Sequence, residues 1–166
     1  MSQYLILCVD DERDVLDSVT NDLASLEEHF VIEAAESVAE AKEILADAAA
    51  DNLQLALILC DHIMPKDLGV DFLIELNRFA STTKSRKLLL TGQAGLDETV
   101  QAVNHGSLDY FIAKPWQGET LKHIVIDQLT TFMIAHDENL LSWVRVLDAE
   151  RIMEAISNNR LNYSDN

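Results

Sequence analysis

Short apolar runs alternate along the chain with longer segments in which apolar side chains recur every three or four positions. The runs are Tyr4 to Val9, Phe30 to Ala34, Leu55 to Cys60, Lys87 to Thr91 and Leu108 to Ala113. Each has the length of a strand, and several are apolar at consecutive positions, the pattern of parallel strands covered on both faces. Between them Val15, Val19 and Leu23 share one helical face, as do Ala41, Ile44, Leu45 and Ala48, and then Phe72, Leu73, Leu76 and Phe79. Ser37 and Glu40 read as a capping box that starts the second helix. After the fifth run, Leu121, Ile124, Val125, Gln128, Leu129 and Phe132 keep the helical period.

This β-then-α order, repeated along the chain, predicts an α/β fold: a parallel sheet with right-handed crossovers and helices on both faces. In such an open sheet a ligand binds beyond the carboxyl ends of the strands. Residues 1–135 are expected to form that unit, and residues 136–166 a C-terminal helical extension. In the extension Leu140, Leu141, Val144 and Leu147 make one helical stripe, and Asp148 is placed to cap a further helix carrying Ile152, Met153 and Ile156. So short a segment cannot build its own core. Its apolar stripes are expected either to fold back on the fifth helix or sheet edge, or to form a homodimer interface near the fourth and fifth helices.

Composition narrows the class of partner. With 12 Lys and Arg against 29 Asp and Glu the formal charge is −17, a surface that repels nucleic acid and anionic membrane and favours a protein or a cation. No apolar stretch is long enough to cross a membrane, and the N-terminus lacks the pattern of a signal peptide, so a soluble, cytoplasmic protein is expected. Cys8 and Cys60 sit in apolar runs and read as buried core thiols. The histidines (His29, His62, His105, His123 and His136) show no metal-ligand spacing and are expected at surface or cap positions. Trp116 and Trp143 read as packing anchors, and no glycine-rich phosphate loop is present.

Four strand ends carry chemistry. The first closes on Val9-Asp10-Asp11-Glu12, the third on Leu59-Cys60-Asp61, the fourth on Leu90-Thr91-Gly92 and the fifth on Ala113-Lys114-Pro115-Trp116. Carboxylates crowded at one edge repel unless a cation offsets them, and Mg²⁺ prefers one or two such oxygens together with phosphate. A carboxylate there can act as nucleophile on phosphorus, with a lysine and a hydroxyl to meet the transferred group.

These segments resemble the response-regulator receiver domain of two-component systems over about Tyr4 to Phe132. Val9-Asp10-Asp11-Glu12 is similar to that family's acidic pair. Cys60-Asp61-His62-Ile63-Met64-Pro65, with Gly69 eight residues after Asp61, is similar to its phosphoacceptor loop. Leu90-Thr91-Gly92 and Lys114-Pro115-Trp116 match its switch-hydroxyl strand and its lysine–proline pair. The resemblance implies a flavodoxin-like, doubly wound five-stranded sheet of order 2-1-3-4-5. It implies that Asp61 accepts the phosphoryl group, and that Asp11, Asp61 and the backbone carbonyl of Ile63 ligate Mg²⁺ directly, with Asp10 acting largely through metal-bound water. Lys114 and Thr91 would bind the phosphoryl oxygens. Phe111 would be the aromatic switch residue, Tyr110 lying one position off. Ile63 and Gln93 occupy loop positions credited with tuning hydrolysis.

The implied protein is not an enzyme acting on an outside substrate. It is a phosphoprotein charged by a histidine kinase or phosphotransfer protein, with a downstream protein effector. The run from Val103 to Gly106, with Lys114-Pro115-Trp116, is similar to receivers attached to signalling enzymes such as cyclic-dinucleotide phosphodiesterases. Two alternatives stand beside it: an interaction module that is never phosphorylated, and a haloacid-dehalogenase-like phosphatase. The phosphatase pattern places its nucleophile on the first strand with a second Asp two residues on, whereas Asp10 and Asp11 are adjacent.

Overall fold

The computed structural model describes residues 3–92 and 96–164. Five strands, β1 (Tyr4–Val9), β2 (Val31–Ala35), β3 (Gln54–Asp61), β4 (Arg86–Thr91) and β5 (Tyr110–Ala113), alternate with α1 (Arg13–Asp22), α2 (Val38–Ala50), α3 (Gly69–Leu76), α4 (Leu96–Asn104) and α5 (Gly118–His136). A 3₁₀ turn at Leu140–Trp143 and a helix α6 (Ala149–Ser164) follow. All strand pairs are parallel, in the order β2-β1-β3-β4-β5, the flavodoxin-like arrangement expected.

The central strands are buried along almost their whole length because helices cover both faces. Alternation along β1 separates two cores. Tyr4, Ile6 and Cys8 face α1 and α5, together with Leu59, Leu90 and Val125. Leu5, Leu7 and Val9 face α2, α3 and α4, together with Ile58, Phe72 and Ala102. Consequently Cys8 and Cys60 lie on opposite faces, both as free buried thiols, and burial pushes the Cys8 thiol up to about 12.

The capping box forms in its first half only. Ser37 Oγ accepts from Glu40 N at 3.1 Å, but the Glu40 carboxylate reaches back to Glu36 N, at 3.0 Å. In α1 the buried face runs through Leu16 and Val19 rather than Val15, which is half-buried. Phe79 does not continue the α3 stripe: the helix ends at Leu76, and Phe79 is 53% exposed in the turns that follow. The fifth strand starts at Tyr110, and Leu108 is buried in the irregular segment before it.

Lys87, read only as the head of β4, is buried. Its ammonium donates to the carbonyls of Thr82 (2.9 Å), Thr83 (3.2 Å) and Ser85 (2.9 Å). Desolvation by burial pushes its pKa down to about 8, against the opposing pull of Asp109.

The segment after α5 shares the first core. Leu140, Trp143, Leu147 and Ile152 are buried with Phe30, Phe132 and Met133. The expected stripe from Leu140 to Leu147 is not one helix: it begins as a 3₁₀ turn that buries Leu140 and Trp143 and leaves Leu141 68% exposed. Asp148 does cap α6, its Oδ1 accepting from Arg151 N at 3.2 Å. Arg151 then clamps α6 to α5 through the Asp127 carboxylate at 2.7 Å and the Thr131 hydroxyl at 2.8 Å. Ile152 faces inward, whereas Met153 is half exposed.

Candidate functional site

At the carboxyl end of β1 the backbone of Asp10 is still held by the neighbouring strand, its N–H donating to Ala35 O at 3.1 Å. The Asp10 Oδ1 accepts from Glu12 N at 2.9 Å, which turns the chain into α1 and leaves the other carboxylate oxygen facing the sheet edge. On β3 the ladder persists to Asp61, opposite Leu90, and His62 N donates to Leu90 O at 3.1 Å. The loop beyond is closed by Gly69 N on His62 O at 2.7 Å and by an antiparallel bridge between Ile63 and Leu68. Position 69 tolerates no side chain, since a Cβ there would collide with the Asp61 carbonyl. The glycine eight residues after Asp61 is thus a steric requirement of the loop that fixes this aspartate.

Asp10, Asp11 and Asp61 each offer a carboxylate oxygen within 4.8 Å of the others. Asp10 is 1% exposed and Asp61 7%, while Asp11 faces solvent. Lys114, placed by Lys114 N donating to Thr91 O at 2.8 Å, extends its ammonium between the two buried groups. It reaches Asp61 Oδ1 at 2.9 Å and Asp10 Oδ2 at 3.0 Å. Burial raises the Asp61 carboxyl above the usual aspartate range; the Lys114 hydrogen bond opposes this, and the negative charges of Asp10 and Asp11 add to it. Burial alone would lower Lys114, but its hydrogen bonds to Asp61 and Asp10 outweigh that and hold its pKa above the ordinary lysine value. Three carboxylates against one ammonium leave a deficit of positive charge that suits a divalent cation with oxygen ligands.

Other expected site residues are placed less directly. Thr91 is buried at the end of β4, and its hydroxyl donates to Gly92 O at 2.9 Å rather than to the acidic cluster. Phe111 is half-buried against the core facing α4, paired in the ladder with Leu89, and Tyr110 is exposed. Ile63 directs its side chain outward, 55% exposed. Gln93 lies outside the described residues. Against the expectation for the histidines, His62 is buried at 1% exposure, because it follows Asp61 directly into the sheet edge.

One participant had no signal in the sequence. Asp22, the last residue of α1, accepts from Trp116 Nε1 at 3.1 Å across 94 positions of chain. Together with Asp14, Val15 and Ser18 of α1 and with Lys114 they line a cleft of about 520 Å³ beside the acidic cluster.

A doubly wound sheet of order 2-1-3-4-5 with an acidic cluster and a lysine at its carboxyl edge defines the class as a CheY-like receiver. The chain belongs to the response regulator receiver domain family, whose sequence profile matches residues 6–126. It is similar to the hydrogenase transcriptional regulatory protein HoxA of Cupriavidus necator, 28% identical over 114 residues, which are 69% of this chain and 22% of that protein. The chain therefore spans about a fifth of the length of the curated relative it matches. Among solved structures it resembles a CheY-like response regulator receiver domain protein from Methanospirillum hungatei JF-1, with a TM-score of 0.63 and 27% identity over 79% of this chain and 97% of that one. It also resembles an uncharacterized protein from Neptuniibacter caesariensis, with a TM-score of 0.70 and 25% identity over 83% and 96%. Among the described residues no helix is long and apolar enough to cross a membrane.

Proposed function

We propose that this receiver is a phosphorylation switch in the cytoplasm, with Asp61 as phosphoacceptor, Mg²⁺ as cofactor and a histidine kinase or phosphotransfer protein as donor. The observation that carries this reading is the Lys114 ammonium bridging Asp10 and Asp61 inside a cluster of three carboxylates. Asp10, Asp11 and Asp61, with the backbone carbonyl of Ile63, are the groups that would hold the ion. When bound, Mg²⁺ offsets carboxylate repulsion and neutralises charge on the phosphoryl oxygens.

A carboxylate oxygen of Asp61 attacks phosphorus, the P–N bond of the donor phosphohistidine breaks, and the imidazole leaves with the bonding pair. The product is a mixed anhydride on Asp61. Lys114 moves from a carboxylate partner to a phosphoryl oxygen and supports the charge that develops there. The Thr91 hydroxyl rotates from Gly92 O toward the phosphoryl group, and Phe111 fills the space released beside α4, which changes the surface offered to a downstream protein effector. The protein turns over no outside substrate in this scheme. Residues 1–135 carry the switch, and residues 136–166 are an extension that completes its core.

Acetyl phosphate with Mg²⁺ is expected to add one phosphoryl mass that hydroxylamine removes and that Asp61→Asn abolishes. Full labelling of Asp61→Asn overturns the assignment, and no labelling of the wild type favours a receiver that acts only as an interaction module. Thr91→Ala is expected to label but to lose the conformational response, read by the change in amide chemical shifts of α4 and β5 on labelling.

A further inference from the structure

We infer that Asp22 and Trp116 form a brace that positions Lys114, an inference that rests on the phosphoacceptor reading of the site. Lys114 sits in a loop of four residues, 114–117, between β5 and α5. Its inner side is pinned to β4 through Lys114 N and Thr91 O. On its outer side the half-buried Trp116 packs against the first core and donates its indole N–H to Asp22 Oδ2 at 3.1 Å. The same carboxylate lies against the first residue of α5, so that a Cβ on Gly118 would meet Asp22 Oδ1 at 2.6 Å. Gly118 thereby lets α1 and the start of α5 approach closely enough for the indole to reach its acceptor.

α1 is the element that makes this a brace rather than a surface contact. Its N-terminal end follows directly from Asp10 and Asp11, and its last residue is Asp22. The helix thus starts just after the acidic pair, with only Glu12 between, and ends on the anchor of the lysine loop. The distance from the Lys114 ammonium to Asp10 and Asp61 is set from both sides, by β4 and by α1. Loss of the indole hydrogen bond would free the outer half of the loop while leaving every residue of the acidic cluster in place. Asp22 and Trp116 are accordingly positioning residues that act through Lys114.

The test measures phosphorylation of the full chain by acetyl phosphate and Mg²⁺. Trp116→Phe keeps the ring and removes the donor, and Asp22→Ala removes the acceptor. Each is expected to slow labelling roughly threefold to tenfold, the range for one hydrogen bond to a charged acceptor acting in part on the loop. Asp22→Asn retains an acceptor oxygen and is expected to stay within about twofold of wild type; a role as a mere negative charge at the α5 N-terminus would make it as slow as Asp22→Ala. In a Lys114→Arg background, which keeps a cation of different shape, Trp116→Phe is expected to have less than half its effect in the wild type. Equal slowing in both backgrounds would mean a structural effect independent of Lys114 and overturn the inference, as would wild-type rates in Trp116→Phe. A wild type that accepts no phosphoryl group would instead defeat the phosphoacceptor reading on which the brace depends.

Discussion

The two ends of the β-sheet treat carboxylates in opposite ways. Around Tyr4, the first residue of β1, a single carboxylate is fully engaged: Asp137 accepts from Tyr4 Oη at 2.9 Å, Trp143 Nε1 at 3.0 Å and Asn139 N at 2.7 Å. The donors are neutral and held by packing, since Trp143 lies 5.1 Å from Phe30 and 5.9 Å from Tyr4 by ring centroids. Burial, with the Asp137 hydrogen bond and charge, pushes the Tyr4 hydroxyl up to about 12, so it stays a donor at any physiological pH. At the carboxyl end, three carboxylates cluster and only two of them, Asp10 and Asp61, pair with the single lysine. The first arrangement closes the fold over its C-terminal extension. The second concentrates negative charge, which a divalent cation would offset.

That contrast can be broken at either end. The largest effect is expected from Trp143→Ala, which removes the centre of the aromatic cluster and should lower stability by about 3–5 kcal/mol in a denaturant titration. Labelling of Asp61 should survive under conditions where the variant remains folded. Strong loss of labelling in a folded Trp143→Ala would mean that the two ends are coupled.

Next in size is the response to Mg²⁺. A cation that binds only the folded cluster stabilises by about 2.7 kcal/mol at a hundredfold excess over its Kd. The melting temperature of the wild type should rise with millimolar Mg²⁺ and that of Asp11→Asn should rise much less, whereas Asp137→Ala should respond as the wild type does. An unchanged melting curve in the wild type would remove the metal from the site.

Asp137→Ala itself should cost about 1–3 kcal/mol, because the indole and phenol donors lose a charged acceptor. Asp61→Asn should cost nothing and is expected to stabilise the metal-free protein. A destabilised Asp61→Asn would show that the carboxyl-end cluster also serves the fold.

The smallest effect is a pH dependence. The Asp61 carboxyl titrates above its unfolded range, chiefly through burial, so its proton is bound more tightly in the folded state. The stability this contributes is complete below the ordinary aspartate range and is lost as the pH rises through the raised value. In EDTA, the stability of Asp61→Asn relative to wild type should therefore grow with pH across that window and level off above it, as followed by urea midpoints. A difference that shrinks with rising pH would reverse the sign assigned to Asp61.

Much of the fold was legible because it is written in local period. The consecutive apolar residues of Tyr4 to Val9 and Leu55 to Cys60 suit strands buried on both sides, which they form, and Ser37 marks a helix start by accepting from Glu40 N. Errors fell where periodicity continues past the end of an element. Phe79 keeps the α3 spacing after the helix has ended, and Leu141 keeps a helical spacing in a 3₁₀ turn that points it to solvent. Periodicity records which side chains could share a face and not whether the backbone remains a helix. The acidic cluster was legible for another reason: the carboxyl ends of parallel strands must meet at one edge, so Asp10, Asp61, Thr91 and Lys114 converge once the strand order is known.

The sequence by itself determined the strands, the helices and the residue types gathered at the edge, since each depends on neighbours within a few positions or on the rule that parallel strands end together. Tertiary structure alone decided how long-range partners are matched. It alone joins Asp22 to Trp116 and brings Tyr4 to the Asp137 carboxylate. The physical reason is that a hydrogen bond between side chains far apart in sequence leaves no period behind. It exists only where packing has already fixed both ends within about 3 Å of each other.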